Sequence, residues 1–141
     1  MHITSTHFDE PMCLILLGDT SRVVTILGEE GDDDGEGVFV GGLDLELGTR
    51  MGALLTAQGF DVRKHPDPNL QGLDPRNICN RGAAGAGVQL ERSRAVRVTL
   101  FESLTREERK QSKPRLKVFV DAVARSLEEE SADPVILSID T

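Results

Sequence analysis

A continuous apolar run from Arg22 to Leu27 (RVVTIL) constrains the fold of this chain more than any other feature. The run is rich in β-branched residues, follows the polar residues 19–21 and ends at Gly28. A strand without polar alternation suits a sheet that is covered on both faces, as parallel sheets are. Because helices must cover the two faces of such a sheet, the run predicts an α/β architecture.

Strand-like and helix-like patterns alternate along the rest of the chain. The expected strands are His2–Thr6, Val38–Val40, Phe60–Arg63 and Val88–Glu91, and the expected helices are Glu10–Leu17, Leu43–Gln58 and Pro114–Leu127. Thr6 or Asp9 is the expected N-cap of the first helix, and Ser112 that of the last. This alternation predicts a three-layer α/β sandwich around a mostly parallel or mixed sheet, in one domain covering residues 1–141.

Charge and composition argue against two classes of partner. The formal net charge is −8, and the aromatic residues are five Phe with no Trp or Tyr. An acidic chain with few aromatic rings is poorly suited to nucleic acid, which is bound through Lys and Arg and by base stacking. The longest apolar run, Met12–Leu17, falls short of the roughly 20 residues that cross a bilayer. With no secretory signal pattern, we expect a cytoplasmic protein with no membrane partner.

Several candidate motifs have a simpler structural interpretation. The acidic segment Glu29–Glu36 lacks the ligand spacing of a calcium loop, which favours a solvated turn. The glycines of segment 82–87 precede a strand, whereas a dinucleotide-binding loop follows one. Two isolated cysteines, Cys13 and Cys79, are expected to be reduced and structural.

The three histidines also form no recognisable metal motif. His2, His7 and His65 are not spaced as ligands on one helix. His2 and His7 could still join a site in space, although surface or capping roles are more common for histidine.

One segment, Asn77–Arg97 (NICNRGAAGAGVQLERSRAVR), carries the residues best suited to chemistry. A strand in it ends in a carboxylate, Glu91, and ligand sites of α/β sheets form at strand ends. A Glu there can act as a general base, and Arg81 can hold a substrate carboxylate with its forked donors. The segment and its approach also contain more arginines than acidic residues, which indicates either an anionic ligand or ion pairing with the acidic surface; these arginines are Arg76, Arg81, Arg92, Arg94 and Arg97.

Four segments together resemble the poly-γ-glutamate hydrolase family of phage and bacterial proteins. They are HITSTHFDEP (2–11), VFVGGLD (38–44), NICNRG (77–82) and GVQLERSRAVR (87–97), and their order and spacing cover almost the whole chain. The resemblance implies a carboxypeptidase-like α/β fold and zinc-dependent hydrolysis of γ-glutamyl amide bonds. It also implies that Glu91 is the general base and that Arg81 with Asn80 holds a substrate carboxylate.

The resemblance also identifies departures from the family pattern. Family members carry a His and a Glu zinc ligand in an HGGxIE-like motif upstream of the segment that begins here at His2. A third ligand is the His of an IHG triplet, and the matching residues here are ILG, so Leu27 occupies that position. Because Leu cannot bind zinc and a catalytic site needs three protein ligands, we expect no metal and no cofactor in this chain.

These departures leave three interpretations open. The chain is a degenerate or truncated hydrolase with little activity alone, or a non-catalytic module that binds poly-γ-glutamate or another carboxylate-rich ligand, or part of a longer protein that has the first two ligands. In the truncated case the fold is incomplete at the N-terminus. An uncovered sheet edge or pocket wall would then favour self-association.

Overall fold

The computed structural model describes residues 5–29, 35–102, 105, 111–128 and 135–139. Along the chain the helices and strands are α1 (Pro11–Gly18), β1 (Val23–Gly28), β2 (Val38–Gly41), α2 (Leu45–Ala57), β3 (Val62–Arg63), β4 (Val88–Arg92), α3 (Arg94–Leu100), α4 (Pro114–Leu127) and β5 (Val135–Ile139). Two short 3₁₀ turns, Pro68–Leu70 and Ile78–Asn80, lie in the connection between β3 and β4.

Within the described residues the strands form a five-stranded mixed sheet in the order β3-β2-β4-β1-β5. The strand β1 runs parallel to both β4 and β5. Strand β2 runs parallel to β3 and antiparallel to β4. The α/β class and the mixed sheet are therefore confirmed, and the parallel pairing explains why the RVVTIL run has no polar alternation.

Two apolar clusters cover the two faces of the sheet. On one face α2, α3 and α4 pack against Val24, Val38 and Leu90 in the larger cluster. On the other face α1 packs through Leu17 against Val23, with Ile78 from the second 3₁₀ turn. Because side chains alternate along a strand, neighbouring residues such as Val23 and Val24 serve opposite layers.

Some local predictions were wrong. The cap of α1 is Glu10, whose carboxylate accepts from the Cys13 N–H at 2.7 Å, instead of Thr6 or Asp9. The N-cap of α4 is Lys113 instead of Ser112, although Pro114 does begin the helix. Strand β3 starts at Val62 because Phe60 turns into the core, where it meets Phe119 edge-on at 5.5 Å. Of the predicted strand 2–6, residues 2–4 lie outside the described part and residues 5 and 6 form a turn.

Candidate functional site

Glu91 lies near the end of β4, as the sequence predicts, with one neighbour from each adjacent strand. The register places it opposite Leu27 of β1 and opposite Phe39 of β2. Registered residues of paired strands project from the same face of a sheet. Leu27 and Phe39 therefore flank the Glu91 carboxyl group on the face that α1 covers.

The surroundings of Glu91 disfavour its negative charge. Its Oε2 atom is buried and has no hydrogen-bond partner among the described residues. Burial raises the pKa of Glu91 to about 7, while the nearby His65 acts to lower it and Glu29 to raise it. A carboxyl group of this pKa can accept or donate a proton close to neutral pH, which is the property required of a general acid or base.

A second carboxylate, Glu29, and the imidazole of His65 lie beside Glu91. The His65 Nε2 and Glu29 Oε1 atoms are 2.9 Å apart, and the two side chains are only 6% and 14% exposed. The His65 Nδ1 atom accepts a hydrogen bond from the Asp67 N–H at 3.0 Å. Since Nδ1 is an acceptor, Nε2 carries the proton and donates it to Glu29. Burial lowers the pKa of His65, but the hydrogen bond and charges of Glu29 and Glu91 raise it more, so the net shift is upward.

Sequence reasoning missed this pair. The acidic segment predicts a solvated turn for Glu29, and the lack of a motif predicts a surface or cap position for His65. The structure describes Glu29 but not residues 30–34, so most of the remaining acidic segment lies outside the described part. The sequence did contain a signal for Glu29. It follows the last residue of β1, just as Glu91 lies near the end of β4, and ligand sites of α/β sheets form at strand ends.

Arg97 holds the end of β1 in place. Its guanidinium donates from Nη2 to the Glu29 carbonyl oxygen at 2.7 Å, and the side chain is buried. A Cβ atom at Gly28 would lie 2.9 Å from the Arg97 Cζ atom, so glycine leaves room for the guanidinium where a larger residue would crowd it. Arg97 therefore acts as an internal brace for the strand end.

The five arginines around this segment do not share one surface. Arg97 is buried, and Arg92 is buried over the Phe119 ring at 5.9 Å. Arg76 is exposed and paired with Asp74 at 2.8 Å. An anionic ligand could therefore meet at most the exposed members of the predicted cluster, which include Arg81 and Arg94.

Asn80 and Arg81 have different surroundings. The Asn80 side chain is buried and bonds to four backbone groups. Its Nδ2 donates to the carbonyl oxygens of Gly72 at 2.7 Å and Asp74 at 3.0 Å, and its Oδ1 accepts from two N–H groups, those of Leu43 at 3.2 Å and Gly87 at 3.1 Å. Arg81 is exposed and donates to the Phe8 carbonyl oxygen at 3.1 Å. Substrate binding by Asn80 and Arg81 stays a prediction, as does general-base action by Glu91.

The residues at the strand ends do not fit a zinc ion. Among the described residues, no three His, Cys, Asp or Glu side chains are placed to hold a metal. Leu27 lies beside Glu91 where the family pattern places an imidazole. Cys13 and Cys79 are both free thiols, and burial raises the pKa of Cys79 to about 12, so it offers no thiolate near neutral pH.

In the described part of the chain, no helix is long and apolar enough to cross a bilayer.

Comparison with known proteins places this arrangement in a family. The poly-gamma-glutamate hydrolase family model matches residues 1–123. The SPbeta prophage-derived UPF0714 protein YoqZ of Bacillus subtilis is 36% identical over 106 residues, which are 74% of this chain and 38% of that protein. The UPF0714 protein YmaC of the same organism is 33% identical over 132 residues, 92% of this chain and 55% of that protein.

Two solved structures share the fold. A structure described as a bacteriophage poly-gamma-glutamate hydrolase superimposes with a TM-score of 0.83 at 34% identity, over 91% of this chain and 62% of that one. A structure described as zinc-free YndL superimposes with a TM-score of 0.79 at 30% identity, over 91% of this chain and 63% of that one. The chain thus spans less than two thirds of the length of these relatives. With sequence, fold and family model in agreement, the chain belongs to the poly-γ-glutamate hydrolase family.

Proposed function

We propose that this chain is a degenerate poly-γ-glutamate hydrolase domain that does not hydrolyse γ-glutamyl bonds by itself. The observation that carries the proposal is the pairing of Leu27 with Glu91 at the strand ends. An aliphatic side chain occupies the position where the family resemblance expects a zinc-binding imidazole. The described residues also provide no alternative group of three metal ligands.

Glu91 alone would supply only part of the chemistry of amide hydrolysis. With a pKa of about 7 it can accept a proton from water near neutral pH. An amide carbonyl, however, also needs a group that polarises it and stabilises the developing negative charge, and in the family the zinc ion has this role. The Glu29 carboxylate beside Glu91 would oppose that charge. The chain that we propose therefore keeps the general base, Glu91, and lacks the group that would polarise the amide carbonyl.

The test combines zinc affinity with turnover. Isothermal titration of the chain with zinc, and an assay on a γ-glutamyl peptide with and without zinc, should show weak binding and no product above background. Leu27→Ala serves as the matched control, because it alters the same side chain without adding a ligand and should behave like the parent chain. Micromolar zinc affinity accompanied by turnover would overturn the proposal.

A second candidate function is binding of carboxylate-rich chains without cleavage. The exposure of Arg81 favours it, because one Nη atom bonds to the Phe8 carbonyl oxygen while the guanidinium carries further donors at the surface. Saturable binding of oligo-γ-glutamate should then be lost in Arg81→Ala and survive in Glu91→Gln. Arg125→Ala, which removes an exposed arginine of α4, is the matched control and should bind normally. Equal loss in the Arg81 and Arg125 variants would contradict a specific site.

A further inference from the structure

A groove opens between α2 and the segment 62–73, on the sheet face opposite Glu91. Val40 and Val62 line it and pack against the larger apolar cluster, on the face that α2 covers. Glu91 projects from the other face, together with its register partner Phe39. Because side chains alternate along a strand, the neighbours Phe39 and Val40 point to opposite faces. The groove is therefore separate from the strand-end residues.

The walls of the groove are mainly apolar and open to solvent. Its volume is about 410 Å³, which lies in the range of pockets that bind small molecules. Leu45 and Leu73 line it, and they are 74% and 42% exposed. A ligand that covers these leucines removes apolar surface from water, which favours binding. The walls thus favour a ligand with an apolar body.

The shape of the groove follows from the glycines that α2 presents to the sheet. A Cβ atom at Gly52 would lie 3.3 Å from Cγ1 of Val62, and one at Gly48 would lie 3.4 Å from Cγ1 of Val40. The helix backbone approaches the strands closely here, and no helix side chain divides the space. The lining residues of α2 lie between positions 45 and 52, which is about 10 Å along the helix axis. An unbranched alkyl chain of about eight carbons has this length, because carbon–carbon bonds of about 1.5 Å zigzag along it.

Lys64 supplies the positive charge that faces the groove. Side chains alternate along β3 and the residue after it, so Lys64 projects from the α2 face and Arg63 from the other. Lys64 lines the groove and is exposed. The Arg63 guanidinium lies over the Phe39 ring at 5.3 Å, away from the groove. Asp44 also lines the groove, and its Oδ1 atom accepts from a backbone N–H of the first turn of α2 at 3.0 Å. One cation favours a ligand with one negative charge, and the Asp44 carboxylate disfavours a second.

We propose that this groove binds an aliphatic monocarboxylate of about eight to ten carbons. The Lys64 ammonium group donates to the ligand carboxylate, and the alkyl chain lies along Leu45 and the two glycines of α2. A γ-linked glutamate oligomer fits poorly, because it carries a carboxylate on every residue and would place further negative charges beside Asp44 and the apolar wall. Binding in the groove does not depend on the proposed function, because it involves the other face of the sheet.

Calorimetry with decanoate on the whole chain tests the site. Decanoate should bind, and octanoate should bind about tenfold more weakly because it buries two fewer methylene groups. Decyltrimethylammonium, which pairs a ten-carbon chain with a positive charge, should bind a few-fold more weakly than decanoate. Equal affinities for decanoate and decyltrimethylammonium would overturn the assignment of the carboxylate to Lys64. Absence of decanoate binding would overturn the whole proposal.

Two threonines of α2 provide a matched pair of variants. Thr49 lines the groove and Thr56 lies outside it, yet both are exposed and both donate to the carbonyl oxygen four residues earlier at 2.8 Å. Thr49→Trp should weaken decanoate binding about tenfold, because the indole ring takes space that the alkyl chain needs. Thr56→Trp should bind like the parent chain. Lys64→Met keeps an unbranched side chain without the charge and should weaken binding a few-fold. Circular dichroism checks that each variant is folded.

The exposed apolar residues of α1 are the competing site for an alkyl chain. Ile15 is 64% exposed there, and Ile15→Gln should leave decanoate affinity unchanged. If Ile15→Gln weakens binding while Thr49→Trp and Thr56→Trp bind alike, the ligand lies on α1 and the groove assignment is wrong. Tetra-γ-glutamate serves as the link to the proposed function: any binding of it should be lost in Arg81→Ala and survive in Thr49→Trp, so the two proposals fail separately.

Discussion

On one face of the sheet α2, α3 and α4 cover the strands with a continuous apolar core, whereas on the other face α1 and the 3₁₀ turns leave polar groups at the strand ends. The closed face holds Phe119 and Leu90, both at most 1% exposed. The open face holds Glu91 and the buried Glu29–His65 pair. Stability and candidate chemistry therefore occupy opposite sides of the same strands, so substitutions on the two faces should have separable effects.

A substitution in the closed face should cost the most stability. Phe119→Ala removes a buried ring that contacts Phe60, and it should lower the free energy of unfolding by about 3–5 kcal/mol. Leu14→Ala, on the partly buried contact of α1 with the open face, should cost less because the side chain is already partly exposed. Urea denaturation of both variants measures the difference. Equal losses of unfolding free energy in the two variants would mean that the two faces contribute alike to stability.

The pH dependence of stability should come from the open face. Because the folded pKa of Glu91 is raised from 4.5 to about 7, the folded chain binds more protons than the unfolded chain between these values. Stability should therefore fall by about 3 kcal/mol as pH rises through this window. His65 acts in the same direction, because its raised pKa gives stability that is present below 6.5 and is lost as pH rises through the folded value. Denaturation from pH 4.5 to 7.5 should show this slope, and Glu91→Gln should reduce it. An unchanged slope would contradict the assignment.

A smaller loss is expected where the two faces meet at the end of β1. Gly28→Ala forces a methyl group against the Arg97 guanidinium and should cost about 1–3 kcal/mol. Gly18→Ala is the matched control, because nothing lies within 4 Å of the place that its methyl group would take. Its effect should be neutral or slightly stabilising. Thermal unfolding of both variants compares them, and similar melting temperatures would show that Arg97 moves aside without cost.

The weakest effect should be association through the open face. Helix α1 exposes Met12, Ile15 and Leu16 by 64%, 64% and 58%. Such an apolar patch favours weak self-association. Light scattering after size exclusion should show a mass that rises with concentration, and Ile15→Lys should suppress the rise. A constant monomer mass across a hundredfold concentration range would contradict the expectation.

Much of the sheet was predictable from sequence because its signals are local. Strands β1, β2 and β4 were predicted within a residue or two of their observed bounds, since each is a short apolar run between polar or glycine residues. The position of Glu91 near a strand end followed directly from β4. The antiparallel pairing of β2 with β4 has no comparable local signal, because it depends on which strands become neighbours in space.

The interior of the site was less predictable because its contacts join distant residues. Glu29 and His65 are 36 positions apart in sequence, and neither carries a motif that names the other. The family resemblance implies that Asn80 binds substrate, and no sequence pattern shows that its side chain bonds to backbone groups on three other segments of the chain. Polar residues of this kind look alike in sequence whether they face a ligand or the backbone of a loop.

The Asn80 amide bears on how such a domain can change over time. It forms hydrogen bonds with the loop around Gly72, with the start of α2 near Leu43 and with the residue before β4, Gly87. Residue 27 takes no part in these hydrogen bonds. The backbone before the start of β4 and before α2 is thus held in place by an uncharged side chain. If residue 27 has changed to leucine as we propose, these three segments would have kept their connections through Asn80.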